Sequence, residues 1–353
     1  MASTSTTPAI EAHDLHKTFG GTVVALDGVS FAVEQGTVFG LLGPNGAGKT
    51  TAVRILTTII NPDAGWGRVL GYDVVHHADT VRPLIGLAGQ YAAVDENLTG
   101  RENLTMVGRL NHLARDVVAR RAVELLEQFG LSDAGDRPLK TYSGGMRRRL
   151  DVAAALVARP KVLFLDEPTT GLDPQSRMDV WSMVEGLVGE GTSVLLTTQY
   201  LEEADRLAGH IAVVDRGHVI AEGTPAQLKA DLGATVLDVG LPDAEAAQRA
   251  AVILQTVGAK SPTVVGSIVE LPVDDGPRVA MEVLRLLDQH ALAPTTFRLR
   301  EPSLDDVFLA LTGQRAEEDG AGPEGAPATE PGSRRRRRRA RAAAGTTGDG
   351  GGR

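Results

Sequence analysis

Cysteine is absent from the 353-residue sequence. That absence excludes disulfide frameworks, thiolate metal sites and cysteine nucleophiles, and it suits a reducing compartment. Long apolar runs are missing too: nowhere do about 18 apolar residues stand together, the length a bilayer-spanning helix needs. Residues 1–10 are rich in Ser and Thr but have neither a basic nor an apolar stretch, so they do not read as a secretory signal. Aromatic residues are few, at 4%. With 42% hydrophobic and 23% charged residues the chain nonetheless falls among ordinary globular proteins, and its length sets an expectation of two domains.

The body of the chain is short of positive charge. Residues 315–353 hold nine arginines and six acids, so the overall net charge of −9 leaves −12 on residues 1–314. An acidic body argues against a nucleic-acid groove as the main function.

Composition divides the rest. Up to a break near Gly223-Thr-Pro225, short β-like segments (38–42, 162–165, 193–196, 211–214) alternate with helical ones, which predicts an α/β fold with a largely parallel sheet and crossover helices. Residues from about 95 to 160 read as almost wholly helical, a subdomain inserted between strands. Residues 235–312 predict a strand at 235–241, a helix at 244–257, strand material at 264–273, a helix at 277–290, a strand at 295–300 and a short helix at 303–311. That order suggests a small α+β, ferredoxin-like domain. The expected domains are therefore 1–230, 231–314 and a disordered Arg-rich tail at 315–353, where Gly, Pro, Ala and Glu dominate without apolar periodicity.

Gly43, Pro44, Asn45, Gly46, Ala47, Gly48, Lys49 and Thr50 fit G-x-x-x-x-G-K-[ST], directly after an apolar strand and before a helical segment that includes Thr51. Glycines let consecutive backbone amides turn toward phosphate oxygens, and the following helix offers its positive end. In such a P-loop Lys49 reaches the terminal phosphates and Thr50 holds Mg²⁺. A metal-holding acid is needed on a neighbouring strand, and Asp166 and Glu167 follow the apolar run 162–165. Asp166 is assigned to Mg²⁺ through water, and Glu167 to orienting or deprotonating the attacking water. The cofactors expected are ATP and Mg²⁺.

Tyr142-Ser143-Gly144-Gly145-Met146 precedes a basic helical stretch, 20 residues before Asp166. With the P-loop and the Asp-Glu pair, it resembles the signature of the ATP-binding cassette (ABC) family, usually Leu-Ser-Gly-Gly-Gln. The resemblance implies that Ser143, Gly144 and Gly145 receive a phosphate, that Gln90 is the Q-loop glutamine touching metal and water, and that Gly171-Leu172-Asp173 is the D-loop joining two cassettes. It also places Phe19 where an aromatic residue often stacks on adenine, although a core phenylalanine is the competing reading. One position departs from the pattern. After strand 193–196 the family normally places a histidine at the γ-phosphate, and this chain has Gln199. A glutamine amide can donate to a phosphate oxygen and accept from water, yet it carries no imidazolium charge, which predicts slower but not absent hydrolysis. His210 falls too far along the chain to substitute.

The stretches around 142–151, 199–205 and 301–313 look like the daunorubicin-resistance type of ABC exporter ATPase. That resemblance implies a head-to-tail homodimer, with each ATP between Lys49 of one subunit and Ser143 of the other. It further implies a separate transmembrane permease, a peripheral position on the cytoplasmic face of the cell membrane, and cargo that is often a hydrophobic antibiotic. Two other functions compete: a soluble ATP-driven clamp on ribosome or nucleic acid, and a regulatory subunit that barely hydrolyses. The clamp class generally carries two cassettes or a long coiled coil, whereas this chain has one P-loop and no sustained heptads. No specific nucleic-acid partner is expected. The six arginines at 334–339 fit a solvated tail, with attraction to anionic lipid or to polyanions as alternatives.

Overall fold

The computed structural model describes residues 7–89, 94–231, 235–255, 257, 261–300 and 302–312. The cassette opens with two long strands, β1 (Ile10–Phe19) and β2 (Val23–Val33), then β3 (Val38–Leu42), helix α1 (Lys49–Leu56), β4 (Ala64–Val69), β5 (Tyr72–Asp73), α2 (Ala78–Val81) and β6 (Ile85–Ala88). Three helices follow in the segment read as helical: α3 (Gly100–Leu110), α4 (Arg115–Gln128) and α5 (Gly144–Ala155). Then come β7 (Val162–Asp166), α6 (Pro174–Gly189), β8 (Ser193–Thr198), α7 (Leu201–Leu207), β9 (His210–Asp215), β10 (His218–Gly223) and α8 (Pro225–Ala230).

A six-stranded sheet in the order β10-β9-β3-β8-β7-β6 forms the centre, parallel except for β10 at its edge. Every residue of β3, β7 and β8 is buried, as expected of parallel strands covered on both faces. Because parallel strands point the same way, β3, β7 and β8 deliver their C-terminal ends to one edge of the sheet. The phosphate loop, the Asp-Glu pair and the segment carrying Gln199 all leave from that edge.

A second sheet, β2-β1-β4-β5, is antiparallel and was not apparent in the sequence pattern. Its strands break the apolar/polar alternation: Asp14 has φ of 50°, and the β1–β2 pairing shifts register three times. β1 and β2 still send Ile10, Leu15, Leu26 and Val29 into the core shared with Phe39, Leu41 and Val53. The helical segment has its own packing, with Leu104, Leu125, Leu126, Leu139 and Leu150 buried together.

The C-terminal elements are β11 (Thr235–Gly240), α9 (Ala244–Leu254), β12 (Thr263–Val265), β13 (Ile268–Val273), α10 (Gly276–Gln289), β14 (Thr296–Arg300) and α11 (Leu304–Thr312). The sheet order β12-β13-β11-β14, antiparallel throughout, is that of a βαββαβ ferredoxin-like fold. The strand material at 264–273 is a hairpin turning at Gly266, φ 59°. α11 leaves this sheet and seats Leu304, Val307 and Phe308 in the same core cluster as Leu201, Ala204 and Leu228. No helix among the described residues is long and apolar enough to cross a membrane.

Candidate active site

The site is built where β3 gives way to α1. A side chain at Gly43 would collide with the Val214 carbonyl oxygen, so only glycine lets the chain pass β9 this closely. Gly48, which precedes α1, has φ of 108°, and a Cβ there would collide with the Ala25 carbonyl. α1 therefore starts with no side-chain cap, and no acid stands in its first turn. Its leading amides and the positive end of its dipole are directed at whatever anion the loop receives.

Residues 45–51 line a cavity of about 370 Å³ together with Phe19, Ala25 and Glu167. Lys49 is buried and donates from Nζ to the carbonyl oxygens of Gly43 (2.6 Å) and Pro44 (3.0 Å), 3.5 Å from Glu167 Oε1. Thr50 Oγ1 donates to Asp166 Oδ1 at 3.2 Å. Asp166 and Glu167 are themselves buried at the end of β7, and Glu167 has φ of 51°, a left-handed conformation unusual for a side-chain-bearing residue. Such strain is common where a side chain must be aimed. Phe19 ends β1 at 40% exposure and is not a core residue; it borders the cavity, with Lys17 Nζ 5.8 Å from its ring centre.

Pro44, Asn45, Gly46, Ala47 and Thr51 thus belong to one loop with Lys49 and Thr50, and Asp166 and Glu167 come to it from β7. Other described residues singled out in the sequence do not line the cavity. Ser143 caps α5, its Oγ accepting the Met146 N–H at 3.2 Å, and Ser143 and Gly144 are exposed. Neither they nor Gly145 line the cavity. α5 also carries no acid in its first turn, so its start is a second place suited to an anion. Gln199 follows β8 and its amide oxygen is buried without a hydrogen-bond partner among the described residues. Asp173 caps α6, accepting the N–H (3.0 Å) and the hydroxyl (2.6 Å) of Ser176, which hold its carboxyl below the usual carboxylate range. His210 is engaged elsewhere, 3.5 Å from Glu222. Gln90 lies outside the described residues, as do the ends of the 301–313 motif and the arginines at 334–339.

Two residues that sequence reasoning passed over join the site. Thr197 Oγ1 donates to Asp166 Oδ1 at 2.5 Å. Arg148 turns inward from α5, donating to the carbonyl oxygens of Gly89 (2.6 Å) and Pro168 (2.8 Å) and to Asp151 (3.1 Å). Burial pushes the Arg148 guanidinium below its ordinary value. Glu203 on α7 is fully buried as well, accepting the Trp181 Nε1–H at 3.1 Å, and burial pushes its carboxyl up. Signals existed for two of these: a hydroxyl one residue from a strand end facing the Asp-Glu pair, and an arginine flanked by two others on a helix that must bury one face.

Fold and site together define a P-loop nucleotide-binding protein. The family model for ABC transporters matches residues 26–170, and the one for the C-terminal domain of ATP-binding proteins of the DrrA1-3 type matches residues 223–312. The chain is 52% identical to the daunorubicin/doxorubicin resistance ATP-binding protein DrrA of Streptomyces peucetius, over 90% of this chain and 96% of that protein. It is 47% identical to the doxorubicin resistance ATP-binding protein DrrA of Mycobacterium tuberculosis, over 86% and 93%. It is also 39% identical to the Nod factor export ATP-binding protein I of Ralstonia nicotianae, over 87% and 95%. Among solved structures, an ATP-binding cassette in its ADP conformation aligns with TM-score 0.57 at 27% identity, covering 62% of this chain and 92% of that one. The cbiO1 subunit of a Clostridium perfringens ABC transporter complex aligns with TM-score 0.59 at 25% identity, covering 64% and 91%. The chain belongs to the ATP-binding cassette family, as an ATP-binding subunit of the kind that hydrolyses ATP to power transport with a membrane permease.

Proposed function

We propose that this protein is the ATP-hydrolysing subunit of a drug or antibiotic exporter, seated peripherally on the cytoplasmic face of its permease and working as a head-to-tail homodimer. The observation that carries the dimer is a separation. The helix starts at Gly48 and at Ser143 both suit an anion, and of the two only the first opens on the cavity that holds Lys49 and Glu167. An ATP in that cavity meets a signature segment when a second copy supplies it. The exporter role is supported by the drug-resistance names of the relatives at about 50% identity and by the C-terminal match.

The residues fit ATP and Mg²⁺. Glycines at 43 and 48 leave room that a Cβ would fill, and Lys49 brings a buried cation to the loop. Among the described residues no three His, Asp or Glu side chains gather to hold a metal alone, so Thr50 and Asp166 suit Mg²⁺ that keeps phosphate and water oxygens as its other ligands, with Gln90 as a further contact. When bound, Mg²⁺ neutralises charge on the phosphate oxygens. Lys49 and the amides of residues 45–51 bind the phosphates, Phe19 covers the base, and Ser143, Gly144 and Gly145 of the partner copy close the opposite side. Glu167 orients the attacking water and accepts its proton. Gln199, whose amide oxygen is buried and has no hydrogen-bond partner among the described residues, holds that water or the γ-phosphate without adding positive charge.

The cysteine-free chain makes the arrangement directly testable. Asn45→Cys in one copy and Ser143→Cys in another should be joined by a short bifunctional thiol reagent when ATP is present in the Glu167→Gln background. Joining that ignores nucleotide, or none at all, would overturn the head-to-tail dimer. For the exporter role, membrane vesicles holding the permease should accumulate an amphiphilic antibiotic only with ATP and an intact Lys49. Accumulation by a Lys49→Ala complex would overturn it.

A further inference from the structure

β8 ends beside the two acids, and its penultimate residue bonds to the carboxylate of Asp166 and to the backbone N–H of Glu167. Thr197 pairs with Asp166 across the parallel β7–β8 ladder and is fully buried. Its hydroxyl lies 2.5 Å from Asp166 Oδ1 and 3.1 Å from the backbone nitrogen of Glu167. A hydroxyl carries one hydrogen and two lone pairs. The Glu167 N–H can only donate, so it occupies a lone pair of the Thr197 oxygen, and the single hydrogen is left for Asp166. Thr50 donates to that same Oδ1 at 3.2 Å, so two hydroxyls, one from α1 and one from β8, orient one carboxylate. On the other side, Glu167 holds its left-handed backbone with its N–H shared between the hydroxyl and the carbonyl oxygen of Thr197, each at 3.1 Å. Thr198 does a different job: its hydroxyl accepts the Tyr200 N–H at 2.9 Å and shapes the turn that carries Gln199.

We infer that Thr197 is a positioning residue for ATP hydrolysis, its one hydroxyl fixing Asp166 by donating and Glu167 by accepting, so that the metal-holding acid and the water-activating acid move as one piece. The inference rests on the roles given above to Asp166 and Glu167. It follows from chemistry that valine, which has the same shape and β-branch, cannot supply: a buried carboxylate and a strained amide would each lose a partner on their fully buried Thr197 side. Nucleotide binding depends on Lys49 and the loop amides, which Thr197 does not touch.

The decisive comparison is Thr197→Val against Thr197→Ser. Loss of a hydrogen bond to a charged group predicts a fall in kcat of about ten- to a hundredfold for valine, with KM for ATP unchanged within about twofold, and near-normal kcat for serine. Affinity for a fluorescent ATP analogue in EDTA should stay the same in both variants. Binding of Mn²⁺ to the ADP complex, followed by electron paramagnetic resonance, should weaken in the valine variant alone. Where valine is not tolerated in the fold, Thr197→Ala against Thr197→Ser isolates the same hydroxyl. A valine variant as fast as the wild type, or a serine variant as slow as valine, would overturn the inference. Glu167→Gln measured alongside separates the two claims: full activity in Glu167→Gln removes the assignment beneath, whereas a dead Glu167→Gln beside a normal Thr197→Val removes only the role of Thr197.

Discussion

Lys49, Asp166 and Glu167 form one buried group of charges, and Arg300, Asp238, Glu270 and Asp306 form another that is partly buried. In the first, Lys49 and Glu167 border a cavity of about 370 Å³ that residues 45–51 also line, and Asp166 is joined to it through the Thr50 hydroxyl. In the second, each nitrogen of the Arg300 fork has a carboxylate partner. Asp238 accepts from Nε at 2.9 Å, Asp306 accepts from both terminal nitrogens, and Glu270 lies 3.7 Å away. Asp306 also accepts the Ser303 N–H (2.7 Å) and hydroxyl (2.8 Å), which fixes the start of α11 and so the placement of Val307 and Phe308 against α7 and α8. The carboxylates raise the Arg300 pKa, while the guanidinium and Ser303, outweighing burial, hold Asp306 below its ordinary range. Charges that complete one another fasten an element; charges left facing a cavity are arranged for a ligand.

This contrast is open to attack by mutation. Lys49→Met should weaken ATP binding on the order of a hundredfold with little change in thermal stability, and Asp306→Ala should leave ATP binding unchanged within twofold; titration calorimetry reads both. ATP affinity lost equally in the two would erase the distinction. Asp306→Ala should instead lower the urea-unfolding free energy by about 2 kcal/mol, since Arg300 keeps Asp238 but loses its bidentate partner. Acid should act on the same cluster. A carboxyl whose folded pKa is depressed stabilises the fold above its unfolded value, near 3.8, and that stability is lost as pH falls through the folded value. Unfolding monitored from pH 5 down to 2 should therefore show a pH-dependent loss that is smaller in Asp306→Asn than in the wild type. The smallest effect is expected at Gln199: Gln199→His should raise kcat severalfold at unchanged ATP affinity, because an imidazolium restores positive charge beside the γ-phosphate. A slower histidine variant would show that glutamine is not a weaker substitute.

Much of the site was legible because its parts are contiguous. A glycine loop, a lysine and a strand of fully apolar residues ending in two acids are each local patterns, and the parallel strands bring them to one edge. The C-terminal strands and helices were legible for a similar reason, their periods changing cleanly at Asp243, Gly266 and Asp275. Thr197 was not, since its role exists only through the β7–β8 register, which pairs it with a residue 31 positions earlier. The roles of the arginine run at 147–149 were hidden in a different way. Three adjacent cations suggest a solvated basic face, yet at 100° per residue they point in different directions: Arg147 to Glu96, Arg148 to the carbonyls behind the active site, and Arg149 to the Phe129 carbonyl. The N-terminal antiparallel sheet escaped notice because its bulges interrupt the alternation that would reveal it.

The central claim is that the buried acid at the end of β7 performs hydrolysis in a cavity that other groups suffice to fill with ATP. Phosphate release and bound nucleotide measured in the same sample of wild type and Glu167→Gln, with the permease present, test it most directly. The account predicts a loss of phosphate release of about a hundredfold or more, with ATP occupancy retained. Equal phosphate release by the two proteins would contradict it.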